Sequence, residues 1–90
     1  MAEITVKKKE QWFEVEVKEA GSSTHHKVTV SKEAYQQLTQ GKITPEELVH
    51  KSFEFLLKRE PKEAILAQFD ILVIKRYFPE YEQELKKLIG

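Results

Sequence analysis

The residues able to bind metal or move protons are few and scattered. His50 has Glu46 and Glu54 at helical spacing, which makes a two-ligand set, too few to hold an ion without a third group from elsewhere. His25 and His26 are neighbours in an extended segment, so they point to opposite faces and cannot chelate one ion together. They read, like His50, as solvated groups. Glu14 and Glu16 share one strand face, and Glu46 and Glu47 open a helix. General acid–base work needs a carboxyl with a raised pKa in a cleft, and these pairs read instead as a solvated face and a capping turn. Ser22, Ser23, Ser31 and Ser52 have no neighbouring base motif, and the three glycines are isolated, so no phosphate-cradling loop is present. From this inventory we expect no catalytic residue, no cofactor and no metal, and therefore no enzyme.

Composition points the same way. Ninety residues make one domain near the lower end of what folds unaided. Fifteen basic and fifteen acidic residues cancel and are mixed along the chain, which removes the simple electrostatic argument for nucleic acid. There is no cysteine, hence no disulfide or thiolate chemistry. The opening "MAEITVKKKE" lacks the apolar centre of a signal peptide. No apolar run approaches the roughly 20 residues that span a bilayer. A cytoplasmic protein with no membrane partner is the expectation.

The elements that must position any site follow from periodicity. Phe13, Val15 and Val17 alternate with Glu14, Glu16 and Lys18, Ile4 alternates with Val6, and His26, Val28 and Val30 alternate with His25, Lys27 and Thr29. Period two places one set on a buried face and the other in water. A two-residue loop at Gly21-Ser22 predicts Val17 opposite His26, Val15 opposite Val28 and Glu16 opposite Lys27. A turn at Lys9-Glu10 predicts Val6 opposite Phe13 and Lys7 opposite Trp12.

The remainder reads as helices. Ser31 caps a short one holding Ala34, Tyr35 and Leu38, ended by Gly41. In "ITPEEL", Thr44 and Glu47 form a capping box with Pro45 at the first helical position. That helix runs to Pro61, which suits the first turn of another, "PKEAILAQF". Asp70 is expected to cap a short helix from Ile71 to Tyr77, and Pro79 separates it from a last helix, "EYEQELKKL". The predicted fold is α+β in a single domain, residues 1–90. A three-stranded antiparallel meander (1–30) precedes four or five short helices (31–90) packed on one face.

Two segments carry resemblances. "KVTVSKEAYQQLTQGKITPEELVHKSFEFLLKRE", Lys27–Glu60, resembles the ribbon-helix-helix DNA-binding proteins, in which a dimer pairs two strands and sets their outward residues in the major groove. The resemblance implies base reading by Lys27 and Thr29 and phosphate contact at the helix start near Thr44. "SFEFLLKREPKEAIL" followed by "FDILVIKRYFPEYE", Ser52–Glu82, resembles an uncharacterised family of small bacterial and archaeal proteins, and implies no activity.

On a helical wheel of Ile71–Phe78, Lys75 and Arg76 mark the solvent side, while Ile71, Val73, Ile74, Tyr77 and Phe78 fall on the core side. Leu72 lands among the charges. With Tyr81 it is expected to form a small apolar patch with a basic rim, Lys75 and Arg76, that touches a partner, most simply a second copy of the chain. The predicted function is a non-enzymatic protein-binding or assembly module. The alternative is a dimeric DNA-binding regulator of ribbon-helix-helix type.

Overall fold

The structure, a computed structural model, describes residues 2–90. Three antiparallel strands open the chain: β1 (Glu3–Lys8), β2 (Phe13–Glu19) and β3 (Ser22–Thr29). Phe13, Val15, Val17 and Val28 are buried, as the alternation requires. Both registers differ from expectation by two residues. Across β2 and β3, Val15 faces His26, Phe13 faces Val28, Glu16 faces His25 and Glu14 faces Lys27. The loop is Ala20-Gly21, with φ of 55° and 81°. Positive φ at both central residues matches the right-handed twist of a hairpin, and this backbone preference outweighs the one that would put glycine first. Across β1 and β2, Val6 faces Val15 and Lys7 faces Glu14. There the loop spans four residues, closed by the Lys9 amide donating to the Trp12 carbonyl at 2.8 Å. It places opposite charges across the strands, a favourable pairing.

The sheet has a fourth strand that the sequence reading misses. β4 (Gln68–Asp70) lies parallel to β3, pairing Lys27 with Gln68, Val28 with Phe69 and Thr29 with Asp70. A parallel partner needs a long crossover, and the intervening helices supply it. The sheet is therefore mixed, in the order β1-β2-β3-β4, and the second part of the chain is not wholly helical. The expected helix over "PKEAILAQF" reduces to a 3-10 turn at Lys62–Ala64, left through an extended Ile65. An extended chain lets the Ala67 carbonyl accept from the Lys27 amide at 2.8 Å and lets both Ile65 and Phe69 reach the core.

Asp70 is thus a strand residue, not a helix cap. One carboxylate oxygen accepts from the Thr29 hydroxyl at 2.8 Å and the other from the Leu72 amide at 3.0 Å. It ties β4 to β3 and turns the chain out of the sheet.

Four α-helices occur among the described residues: α1 (Lys32–Thr39), α2 (Pro45–Leu57), α3 (Val73–Tyr77) and α4 (Tyr81–Ile89). None is long and apolar enough to cross a membrane. The Ser31 hydroxyl caps α1, and the Thr44–Glu47 capping box opens α2 with Pro45 behind it. A cap of this kind contributes about 1 kcal/mol. α2 supplies the centre of the core through Leu48, Val49, Phe53, Phe55 and Leu56. Burying each such side chain is worth roughly 1.5–3 kcal/mol, more than any cap, so packing decides where α2 lies. α4 docks through Leu85 and Tyr81, whose phenol meets the Ser52 hydroxyl at 2.6 Å.

Candidate functional site

The cleft follows from how the chain crosses from α2 to α3. After Pro61, the 3-10 turn delivers a buried Ile65 and then an outward Leu66. β4 returns inward at Phe69, and α3 buries Ile74 while turning Tyr77 out. Between these segments lies an apolar cleft of about 200 Å³. Leu56, Ile65, Phe69 and Ile74 are its buried lining, and Leu66 and Tyr77 are its exposed lining. Leu66 is 49% exposed and Tyr77 66%, and no other large hydrophobic among the described residues is counted as exposed. Glu60 also lines the cleft. A second concavity, beside the Lys9–Trp12 loop, contains Trp12, but that ring is covered by the Lys27 ammonium at 4.6 Å.

One wall is pinned from beneath by His26. Its Nδ1 lies 2.8 Å from the Leu66 carbonyl and its Nε2 lies 2.9 Å from the Thr24 hydroxyl. A carbonyl only accepts, so Nδ1 carries the proton and donates, leaving Nε2 to accept from Thr24. The ring packs on Phe53, with centroids 5.2 Å apart. Burial holds its pKa below the ordinary histidine value, against the pull of the Leu66 carbonyl, and His25 lowers it further. The opposite wall rests on Phe78, edge-on to Phe55 at 5.8 Å.

The residues singled out from sequence are not brought together as expected. Leu72 is half-buried against the core. Tyr81 belongs to the core, not to a surface patch: it is fully buried, and burial pushes its phenol pKa up despite the bond to Ser52. Its position at the first residue of α4 turns it inward onto Ser52 and Phe55, whose ring lies 5.2 Å away. Lys75 pairs with Glu82 at 3.3 Å. Arg76 is exposed and forms no ion pair among the described residues. Tyr77, placed on the core side of the wheel, faces solvent: it is the last residue of the five-residue α3, while Ile74 from the same side of the wheel is buried. His26, read as a solvated group, is buried.

The positions implied by the ribbon-helix-helix resemblance are otherwise engaged. Lys27 lies over Trp12, and the Thr29 hydroxyl donates to Asp70. The Thr44 amide donates to Glu47 at 3.1 Å, which sets a carboxylate where a phosphate would approach. Hydrogen bonds from Thr44 lower the Glu47 pKa and keep it charged. From Lys27 to Thr29 strand β3 is paired on both edges, by β2 over Lys27 and Val28 and by β4 throughout. A ribbon with a second copy would require β4 to leave.

Leu66 and Tyr77 escape sequence reading. The first sits within an apparent helix, and the second falls on the apolar side of the wheel with Ile74 and Phe78. The one usable signal for His26 was its place in the Val28 alternation. Compared with protein-family models, curated proteins and solved structures, the chain matches none.

Proposed function

We propose that this chain is a non-catalytic protein-binding module, and that its contact face is the Leu66–Tyr77 cleft. The partner it suits is a polypeptide that presents a large apolar side chain. One observation carries the reading: the exposed large hydrophobics, Leu66 and Tyr77, line the same apolar cleft. Scattered exposed leucines need no explanation, but grouped ones at a concavity mark contact sites. The cleft's size favours a side chain over a metabolite, since small-molecule sites run to roughly 300–1,000 Å³. The carboxylates whose protonation is displaced serve local bonds elsewhere. Thr44 holds down Glu47, Lys62 holds down Glu63, and a backbone amide together with Arg59 holds down Glu80. None of them lines the cleft.

The test is selection from a random peptide library on the immobilised chain, followed by amide chemical-shift mapping. The expected peptides carry an aromatic or a leucine, perturb Leu66, Ile74 and Tyr77, and lose binding to Tyr77→Glu. Perturbations confined to the outer face of the sheet, or salt-sensitive binding to DNA duplexes through Lys27, would favour the regulator reading instead.

A further inference from the structure

We infer that the occupant of the cleft is a second copy of this chain, docked about a two-fold axis, with Tyr77 of each copy laid across the cleft of the other. The inference rests on the protein-binding reading and names its partner. Three observations carry it.

The first is shape. The most exposed large hydrophobic among the described residues, Tyr77, stands on the rim of a cleft large enough for one side chain. A knob beside its own hole is what a self-complementary contact needs, because a two-fold axis makes every contact occur twice, residue i to j and j to i.

The second is charge. The Glu60 carboxylate lines the cleft, and Arg76 immediately precedes Tyr77 on α3. Neither forms an ion pair among the described residues. Of the charged residues beside them, Arg59 pairs with Glu80, Lys62 with Glu63 and Lys75 with Glu82, while Lys58 on the far side of Arg59 is exposed and forms no ion pair among the described residues. Among the described residues, the cleft lining thus holds one unpaired carboxylate, Glu60, and the helix that carries Tyr77 holds one unpaired guanidinium, Arg76. Two-fold docking pairs Glu60 of each copy with Arg76 of the other, so the face is complementary to itself. A partner of one dominant charge would satisfy only half of it.

The third is net charge. Fifteen basic and fifteen acidic residues give zero, so two copies meet without long-range repulsion. One aromatic knob per side places the contact at the weak end of protein interfaces.

Sedimentation equilibrium of the full chain up to about 1 mM tests this. The wild type is expected to dimerise. Glu60→Arg and Arg76→Glu, both surface changes, are each expected to weaken dimerisation about tenfold or more by setting like charges across the axis twice. Mixed together, these two variants should form a one-to-one heterodimer, since both charge pairs are then restored. Melting curves show that each variant is folded. A wild type that stays monomeric, a dimer indifferent to both reversals, or variants that do not combine would overturn the inference. If the monomer still binds selected peptides in the cleft, the second copy is refuted and the protein-binding reading survives. If the cleft takes neither, both fall.

Discussion

His26 Nδ1 donates to the carbonyl oxygen of Leu66 across 2.8 Å, joining β3 to a residue 40 positions later in the chain. The bond ties the wall of the apolar cleft to the middle of the sheet, and it does so with a neutral ring. In the unfolded chain the imidazole titrates near 6.5. In the folded chain burial lowers that value.

Stability should therefore depend on pH in a defined direction. Between the folded and unfolded pKa values the unfolded chain binds more protons, so stability rises with pH. The contribution is complete above about pH 6.5 and is lost as pH falls through the folded pKa. Urea unfolding between pH 7.5 and 5 should show this slope in the wild type and in His25→Gln, whose ring lies outside the core. It should be much reduced in His26→Gln. Equal slopes in wild type and His26→Gln would refute the assignment. His26→Ala should cost about 2–4 kcal/mol, since it leaves a cavity beside Phe53 and an unpartnered Leu66 carbonyl.

The sheet faces were legible in the sequence because period two survives a slip of two. Val15 and Val28 are buried whichever residues they face, so the core was right where the pairing was wrong. The capping box at Thr44 was legible because both of its partners lie within one turn. β4 was not legible. Three residues carry no periodicity, and each pairs with a residue 41 positions earlier. α3 has five residues, little more than one turn, and Tyr77 ends it, so a wheel that assumes a continuous helix through Phe78 does not describe which way Tyr77 faces. Apart from Leu56 in α2 and Glu60 just beyond it, the cleft is built from these two short elements and the turn before them. That is why its rim, Leu66 and Tyr77, went unread while Leu72 and Tyr81 were chosen.

Ser52 and Tyr81 should show unequal single-mutant costs. The Ser52 hydroxyl donates to the Leu48 carbonyl at 2.7 Å, so in its 2.6 Å contact with Tyr81 the phenol donates. Tyr81→Phe removes a donor and leaves Ser52 with its own acceptor, at a cost of about 1 kcal/mol. Ser52→Ala leaves a buried phenol with no acceptor, at about 2–3 kcal/mol. The double variant should cost no more than Ser52→Ala alone, because removing both partners spares the orphaned group. Denaturant unfolding of the four proteins measures the coupling, and strictly additive costs would mean that the bond contributes nothing.

The hairpin at Ala20-Gly21 should be improvable. Ala20 holds φ at 55°, a left-handed conformation that costs a residue with a Cβ about 1–2 kcal/mol. Asparagine tolerates it best among non-glycine residues, and Asn-Gly is the preferred pair for a two-residue hairpin loop with positive φ at both positions. Ala20→Asn should therefore stabilise the protein by about 0.5–1 kcal/mol. Gly21 at φ 81° has no atom within 4 Å of a built Cβ, so Gly21→Ala acts through backbone strain alone and should cost about 1 kcal/mol. Had the loop been Gly21-Ser22, Ala20 would be a strand residue and asparagine there would destabilise. The sign of the Ala20→Asn effect on the unfolding midpoint thus reports the register. Cross-strand amide contacts joining Glu14 to Lys27, rather than Glu16 to Lys27, check it independently.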